Sequence, residues 1–139
     1  MIEAGLLALL NANATVSALV GTNIFPAVLP DDVADPGTPT PTCCTYRVVS
    51  AVDDGTNDGP LGLVKMRIEY RCWATSYAAA KTLAVAIRGV LNGYAGTLSD
   101  GTVVLNTWRE NQIDDFDGHS RLYSVSDDYR LIVNEPQGA

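Results

Sequence analysis

Residues 61–74 read LGLVKMRIEYRCWA, and their alternation decides the fold. Val64, Met66, Ile68, Tyr70 and Cys72 fall on one side of an extended chain. Lys65, Arg67, Glu69 and Arg71 fall on the other. A strict period of two with one apolar side is the pattern of a half-buried antiparallel strand, with one face on a core and one in water. The residues that follow change period. Ala80, Leu83, Ala84, Ile87, Val90 and Leu91 recur at helical spacing, so 75–92 is expected to be the longest helix. Thr75 or Ser76 is its N-cap and Gly93 ends it. Small residues at Ala78, Ala79 and Ala80 suit close packing on a sheet.

Upstream, residues 43–52 (CCTYRVVSAV) are β-branched and aromatic, and are expected to pair with 61–74 as a hairpin. Residues 53–60 (DDGTNDGP) are expected to form its turn or loop. The N-terminal residues 2–12 place Ile2, Leu6, Leu9 and Leu10 on one helical face. A second short helix follows, with Asn13 as N-cap, Val16, Leu19 and Val20 as its stripe and Gly21 as its stop. Residues 30–42 hold four of the seven prolines and are expected to be a surface loop. Downstream, Asp100-Gly101 signals a hairpin, and 103–105 continue as a strand. Gln112 to His119 is read as an acidic turn. Residues 121–133 are the last strand, with Asp127-Asp128 as a candidate bulge. Residues 134–139 read as a loose tail. The expectation is one α+β domain over 1–139: a mainly antiparallel sheet of four to six strands, one long helix on one face and short N-terminal helices.

The chain has 139 residues, 47% of them hydrophobic, which suffices for a core without metal or disulfide staples. The three cysteines are odd in number and two are adjacent, so neither a disulfide framework nor a zinc site is expected. They read as buried or free thiols. A net charge of -7 and a pI of about 4.4 argue against tight nucleic-acid binding. The N-terminus lacks the basic region of a signal peptide, and no apolar stretch is long enough to span a membrane, so the product is expected to stay in the cytoplasm or in a particle assembled there.

Chemistry is hard to find. His119 is the sole histidine and sits in a polar turn. The stretch from Gly96 to Gly101 lacks the nucleophile-elbow spacing, because Thr97 stands where a glycine is required. Asp54 to Gly59 resembles the start of a calcium loop, but its twelfth position is Lys65 and its third is Thr56. Asp114, Asp115 and Asp117 read as a solvated acidic loop. No cofactor, no metal and no catalytic residue is expected. The basic row Lys65, Arg67 and Arg71, with Arg47 beside it on the neighbouring strand, reads either as an ordinary wet face or as a subunit interface. In the second reading it meets the aspartates of a neighbouring copy, among them Asp53, Asp54 and Asp58, as in a head-to-tail ring.

Four stretches in order resemble a known family. These are Ile2-Glu3-Ala4 to Leu10 with Val16 to Val20; Asn23-Ile24-Phe25-Pro26 with Leu29-Pro30; Arg67 to Ala74 running into Tyr77, Ala80, Leu83, Ala84, Ile87 and Leu91; and Tyr123-Ser-Val125 to Asp128-Tyr129-Arg130. The chain resembles the tail completion, or tail terminator, proteins of long-tailed phages and gene-transfer particles. It departs from them in residues 31–42. The resemblance implies a structural, non-catalytic virion protein, made in the host cytoplasm and placed at the head-proximal end of the tail. It implies a ring, typically of six copies, on the last ring of tail-tube protein. That ring stops tube growth and presents a face to the head–tail connector protein, while DNA passes through without specific binding. An acidic channel would suit that passage. The competing readings are another connector or tail-tube subunit, a monomeric binding module that uses the 31–42 loop, and an uncharacterised enzyme.

Overall fold

The computed structural model describes residues 2–21, 23–26, 42–56, 59–118 and 122–134. Among these residues three helices precede or interrupt six strands: α1 (Ile2–Ala12), α2 (Ala14–Val20), β1 (Ile24–Pro26), β2 (Cys43–Thr56), β3 (Gly59–Ala74), α3 (Tyr77–Leu91), β4 (Gly96–Thr97), β5 (Val103–Asp117) and β6 (Leu122–Asn134). The strands form one sheet in the order β1-β2-β3-β6-β5-β4. Among the described residues only the β1–β2 pair is parallel.

The helix ends follow their local chemistry. The Asn13 side chain accepts the Val16 N–H at 3.1 Å and so opens α2. Gly21, at φ 58°, closes it by donating its N–H to Ser17 O at 2.8 Å. Of the two candidate caps for α3, Ser76 is the one used: its hydroxyl accepts the Ala79 N–H at 3.2 Å. Helix α3 then lies across β3, β6 and β5. It buries Ala80, Leu83, Ala84, Ile87 and Leu91, and full burial of a leucine or isoleucine contributes about 1.5–3 kcal/mol. Helices α1 and α2 add Ile2, Leu6, Leu10, Val16 and Val20 to the same cluster. From the sheet, Val64, Met66, Ile68, Tyr70, Cys72, Val125, Tyr129, Leu131 and Val133 complete it. Gly5 sits where α1 crosses the turn before β5; a Cβ there would stand 2.8 Å from Leu98 Cβ, so a side chain does not fit. Cys43, Cys44 and Cys72 are free thiols and buried, and burial pushes Cys43 up to about 12.

Three expectations need correction. The stretch 53–60 is not a loop throughout: β2 runs to Thr56 and β3 begins at Gly59, because Gly55 and Thr56 still pair with Pro60 and Gly59. Asp58 lies outside the described residues. Gln112 to Asp117 is strand, not turn. It pairs with Asp127 down to Leu122 of β6, and this ladder outweighs the turn-like composition. The bulge expected at Asp127-Asp128 is instead in the neighbour. β6 pairs with β3 without interruption, while β5 is irregular between Val104 and Asn106 and between Arg109 and Asn111. The proline-rich stretch falls outside the described residues except for Thr42, as do His119, Ser120 and the tail beyond Asn134. Among the described residues no single helix is long and apolar enough to cross a membrane.

Candidate interaction surface

Register fixes what the face opposite the helices carries. In β3 that face bears Lys65, Arg67, Glu69, Arg71 and Trp73. Across from them on β6 stand Ile132, Arg130, Asp128, Ser126 and Ser124. On β2 the partners are Val52, Ser50, Arg47, Thr45 and Cys43. The cations predicted from the sequence therefore do share one surface. They are not bare. Arg67 Nη2 donates to Asp128 Oδ2 at 2.5 Å, and its Nε lies 3.6 Å from Glu110. Arg130 forks onto the same Glu110 at 3.1 and 3.3 Å. Arg47 and Arg71 both approach Glu69, at 3.6 and 3.8 Å, and Arg71 also donates to Ser126 Oγ at 3.3 Å. Trp73 Nε1 donates to Thr45 Oγ1 at 3.0 Å, with the Arg71 guanidinium 5.5 Å from the indole. Among the described residues Lys65 has no ion pair. The sequence showed the cations through their alternation. Glu110 and Asp128 were missed as their partners, and Arg130 as a further cation on Glu110, because they come from strands distant in sequence.

Asp53 and Asp54 lie at the distal end of β2, opposite Val64 and Leu63. Two strands, β3 and β6, separate β2 from β5, which carries the remaining aspartates of interest. Of these, Asp114 is exposed but tied to α3. Tyr77 Oη donates to it at 2.5 Å and Lys81 Nζ at 3.2 Å, and these contacts hold its carboxyl below the usual range. Asp115 is exposed.

One acid was not foreseen. Asp127 lies on the helix side of β6, level with Tyr70 and Gln112, and is 2% exposed. Among the described residues, its Oδ1 and the neighbouring Tyr129 Oη are buried without hydrogen-bond partners. Burial raises the Asp127 pKa, against a hydrogen bond from Gln112 and the charges of Arg109, Arg88 and Lys81. Depressions of 240 Å³ beside Lys81, Thr82 and Val85, and of 190 Å³ between α1 and the turn before β5, bring no pair of acid–base groups together. Among the described residues no three His, Cys, Asp or Glu side chains converge on a metal position.

The two ends of the sheet differ from its faces. β1 covers only Cys44–Tyr46 of β2, and β4 covers only Val103 and Val104 of β5. Among the described residues, nothing pairs with the outer edge of β2 beyond Tyr46 or with that of β5 beyond Val104. Both open edges carry exposed apolar side chains: Val49 and Val52 on β2; Leu105, Ile113 and Phe116 on β5.

This architecture is shared with a chain of a solved structure, the virion of a native gene transfer agent particle. The TM-score is 0.77 at 20% identity, over 96% of this chain and 95% of that one. The model of the family described as tail completion protein gp17 matches residues 4–134. No curated protein matches the sequence.

Proposed function

This chain belongs to the tail completion protein gp17 family, and we propose that it closes the head-proximal end of a phage-type tail as a ring. Membership makes it a virion tail structural protein. The ring would seat on the last ring of tail-tube protein, stop further tube growth and present its far face to the head–tail connector. The role is geometric and not catalytic. One face of the ring complements the tube end, and the other does not nucleate another tube ring. The observation that carries this is the family match over nearly the whole chain. It is supported by a sheet in which, among the described residues, the later halves of the β2 and β5 edges are unpaired, as suits a subunit that contacts copies of itself on both sides. The β2–β3 hairpin, which carries Arg47, Asp53, Asp54, Lys65, Arg67 and Arg71, is one side of the contact between copies. DNA passes through the ring without specific binding, as the -7 charge per chain favours.

Purified protein should form a closed oligomer of fixed mass, alone or on isolated tail tubes, and should halt tube elongation when added to growing tubes. Open-ended polymerisation of the protein by itself would instead identify a tube subunit. Failure to bind tubes at any concentration would sink the ring reading.

A further inference from the structure

We propose that copies join edge to edge, with β5 of one copy adding onto β2 of the next to make one continuous antiparallel sheet; this rests on the ring reading above. Four observations lead there.

The first is direction. β2, β3, β6 and β5 alternate antiparallel, so the two outer strands of this four-strand block run in opposite senses. A second copy placed beside the first in the same orientation therefore meets it in antiparallel pairing, the pattern in which an added strand completes a sheet edge.

The second is which parts of the edges are open. β1 occupies the start of the β2 edge, and β4 the start of the β5 edge. What remains is the later half of each. Within those halves Ser50–Asp54 and Asn111–Asp117 are free of bulges, whereas Val49, Leu105 and Glu110 are each skipped in the ladders. Bulges discourage edge pairing, so the regular segments are the ones left to pair.

The third is the side-chain match when those segments are aligned. Setting Val52 opposite Ile113 places Ser50 opposite Asp115 and Ala51 opposite Asp114. Val52 and Ile113 both lie on the face away from the helices, and they are 60% and 56% exposed, the two most exposed large apolar side chains described. One rung on, across the Val49 bulge, Val48 meets Phe116, which is 48% exposed; both are on the helix side. Arg47 then comes level with Asp117 and diagonal to Asp115, so the basic end of β2 meets the acidic end of β5. The neighbour's β1 falls beyond the end of β5, and this copy's β4 falls beyond the β2–β3 turn, so neither blocks the joint.

The fourth is closure. Asp53 shares a rung with Val104 inside one copy, through Val64 and Val133, but faces Gln112 across the joint. From Val104 to Gln112, less the two skipped residues, each copy steps up by about six rungs. At roughly 3.3 Å per rung, against four strands roughly 4.8 Å apart, the strands tilt by about 45° from the ring axis. Closed barrels adopt about 35–45°, so a shift set by the positions of β1 and β4 produces a closing ring.

The test is the double variant Val52→Cys, Ile113→Cys, oxidised at a concentration where the unsubstituted protein, alone or on tail tubes, is a closed oligomer. Inside one chain these positions lie at opposite edges, three strands across and six rungs along, roughly 24 Å apart at 4.8 Å per strand and 3.3 Å per rung. That exceeds the about 7 Å limit on Cα separation for a disulfide. The native thiols are buried. The expected result is a disulfide-linked ladder reaching the full ring, while a mixture of the two single variants stops at dimers. Unchanged circular dichroism and native mass would show that the exposed substitutions leave fold and assembly intact. A double variant that forms the closed oligomer without any ladder above background overturns edge pairing and leaves the ring standing. Absence of any closed oligomer, with or without tubes, overturns the ring and this inference together.

Discussion

Two faces of β3 are built from alternate residues of the same sixteen-residue strand, yet they are held by different physics. Val64, Met66, Ile68, Tyr70 and Cys72 are buried under three helices. Arg67, Glu69, Arg71 and Trp73 lie in a network of ion pairs and hydrogen bonds that reaches β2, β6 and β5. The first face is non-directional and worth much; it fixes the fold. The second is directional and, where exposed, worth little. Apart from Lys65, its described acids and bases are matched within the chain, so a partner gains no large unpaired field from it. That contrast moves attention from the face to the open edges, where unpaired backbone and exposed apolar side chains coincide.

Substitutions on the two faces should separate these regimes. The largest loss belongs to the buried side: Leu83→Ala on α3 should cost about 2–5 kcal/mol in urea unfolding, since it leaves a cavity against the sheet. Arg67→Glu comes next. It strands Asp128, which is only 9% exposed, beside a like charge, and should lower the urea midpoint by less than Leu83→Ala does. A loss as large as that of Leu83→Ala would erase the distinction between the faces.

Asp127→Asn should act in the opposite direction, stabilising by about 1 kcal/mol near neutral pH by removing a buried charge with an unpartnered oxygen. The sign follows from its raised folded pKa. Its contribution is fully present below the unfolded carboxylate value and is lost as pH rises through the folded value. The variant and the parent should therefore converge in acid and diverge towards neutrality, as thermal melts at several pH values would show.

Asp114→Asn has the converse profile and a smaller size. The lowered pKa of Asp114 means that its contribution is present above the unfolded value and lost as pH falls through the folded one. Its exposed pairing with Lys81 limits the cost to less than about 1 kcal/mol. Lys65→Glu should change stability by no more than about 0.5 kcal/mol, because no described acid pairs with Lys65. A clear loss of assembly in that variant, with stability intact, would return the polar face to the contact between copies.

Much of the core was legible in the sequence. The period-two run of β3, the helical stripe of α3, the Asn13 and Ser76 caps and the alternation of Tyr123, Val125, Tyr129, Leu131 and Val133 all appear where local pattern places them. The misses share one cause. Asp53–Thr56 and Gln112–Asp117 have loop-like composition but become strand because a neighbouring strand supplies their hydrogen bonds. Likewise Asp127-Asp128 looks like a defect in β6, whereas the extra residue is in β5. Of the candidate surface, sequence alternation placed Arg47, Lys65, Arg67 and Arg71 on one side. It could not supply Glu110, Asp128 and Arg130, which arrive from strands some forty to sixty residues away.

The sequence by itself determined which residues turn inward, because burial depends on a period that each segment carries alone, and it determined the family through the order of those segments. Only the tertiary structure decided strand order and register. Cross-strand pairing is non-local: it set Arg67 against Asp128, buried Asp127 beneath α3 and left the later halves of β2 and β5 open.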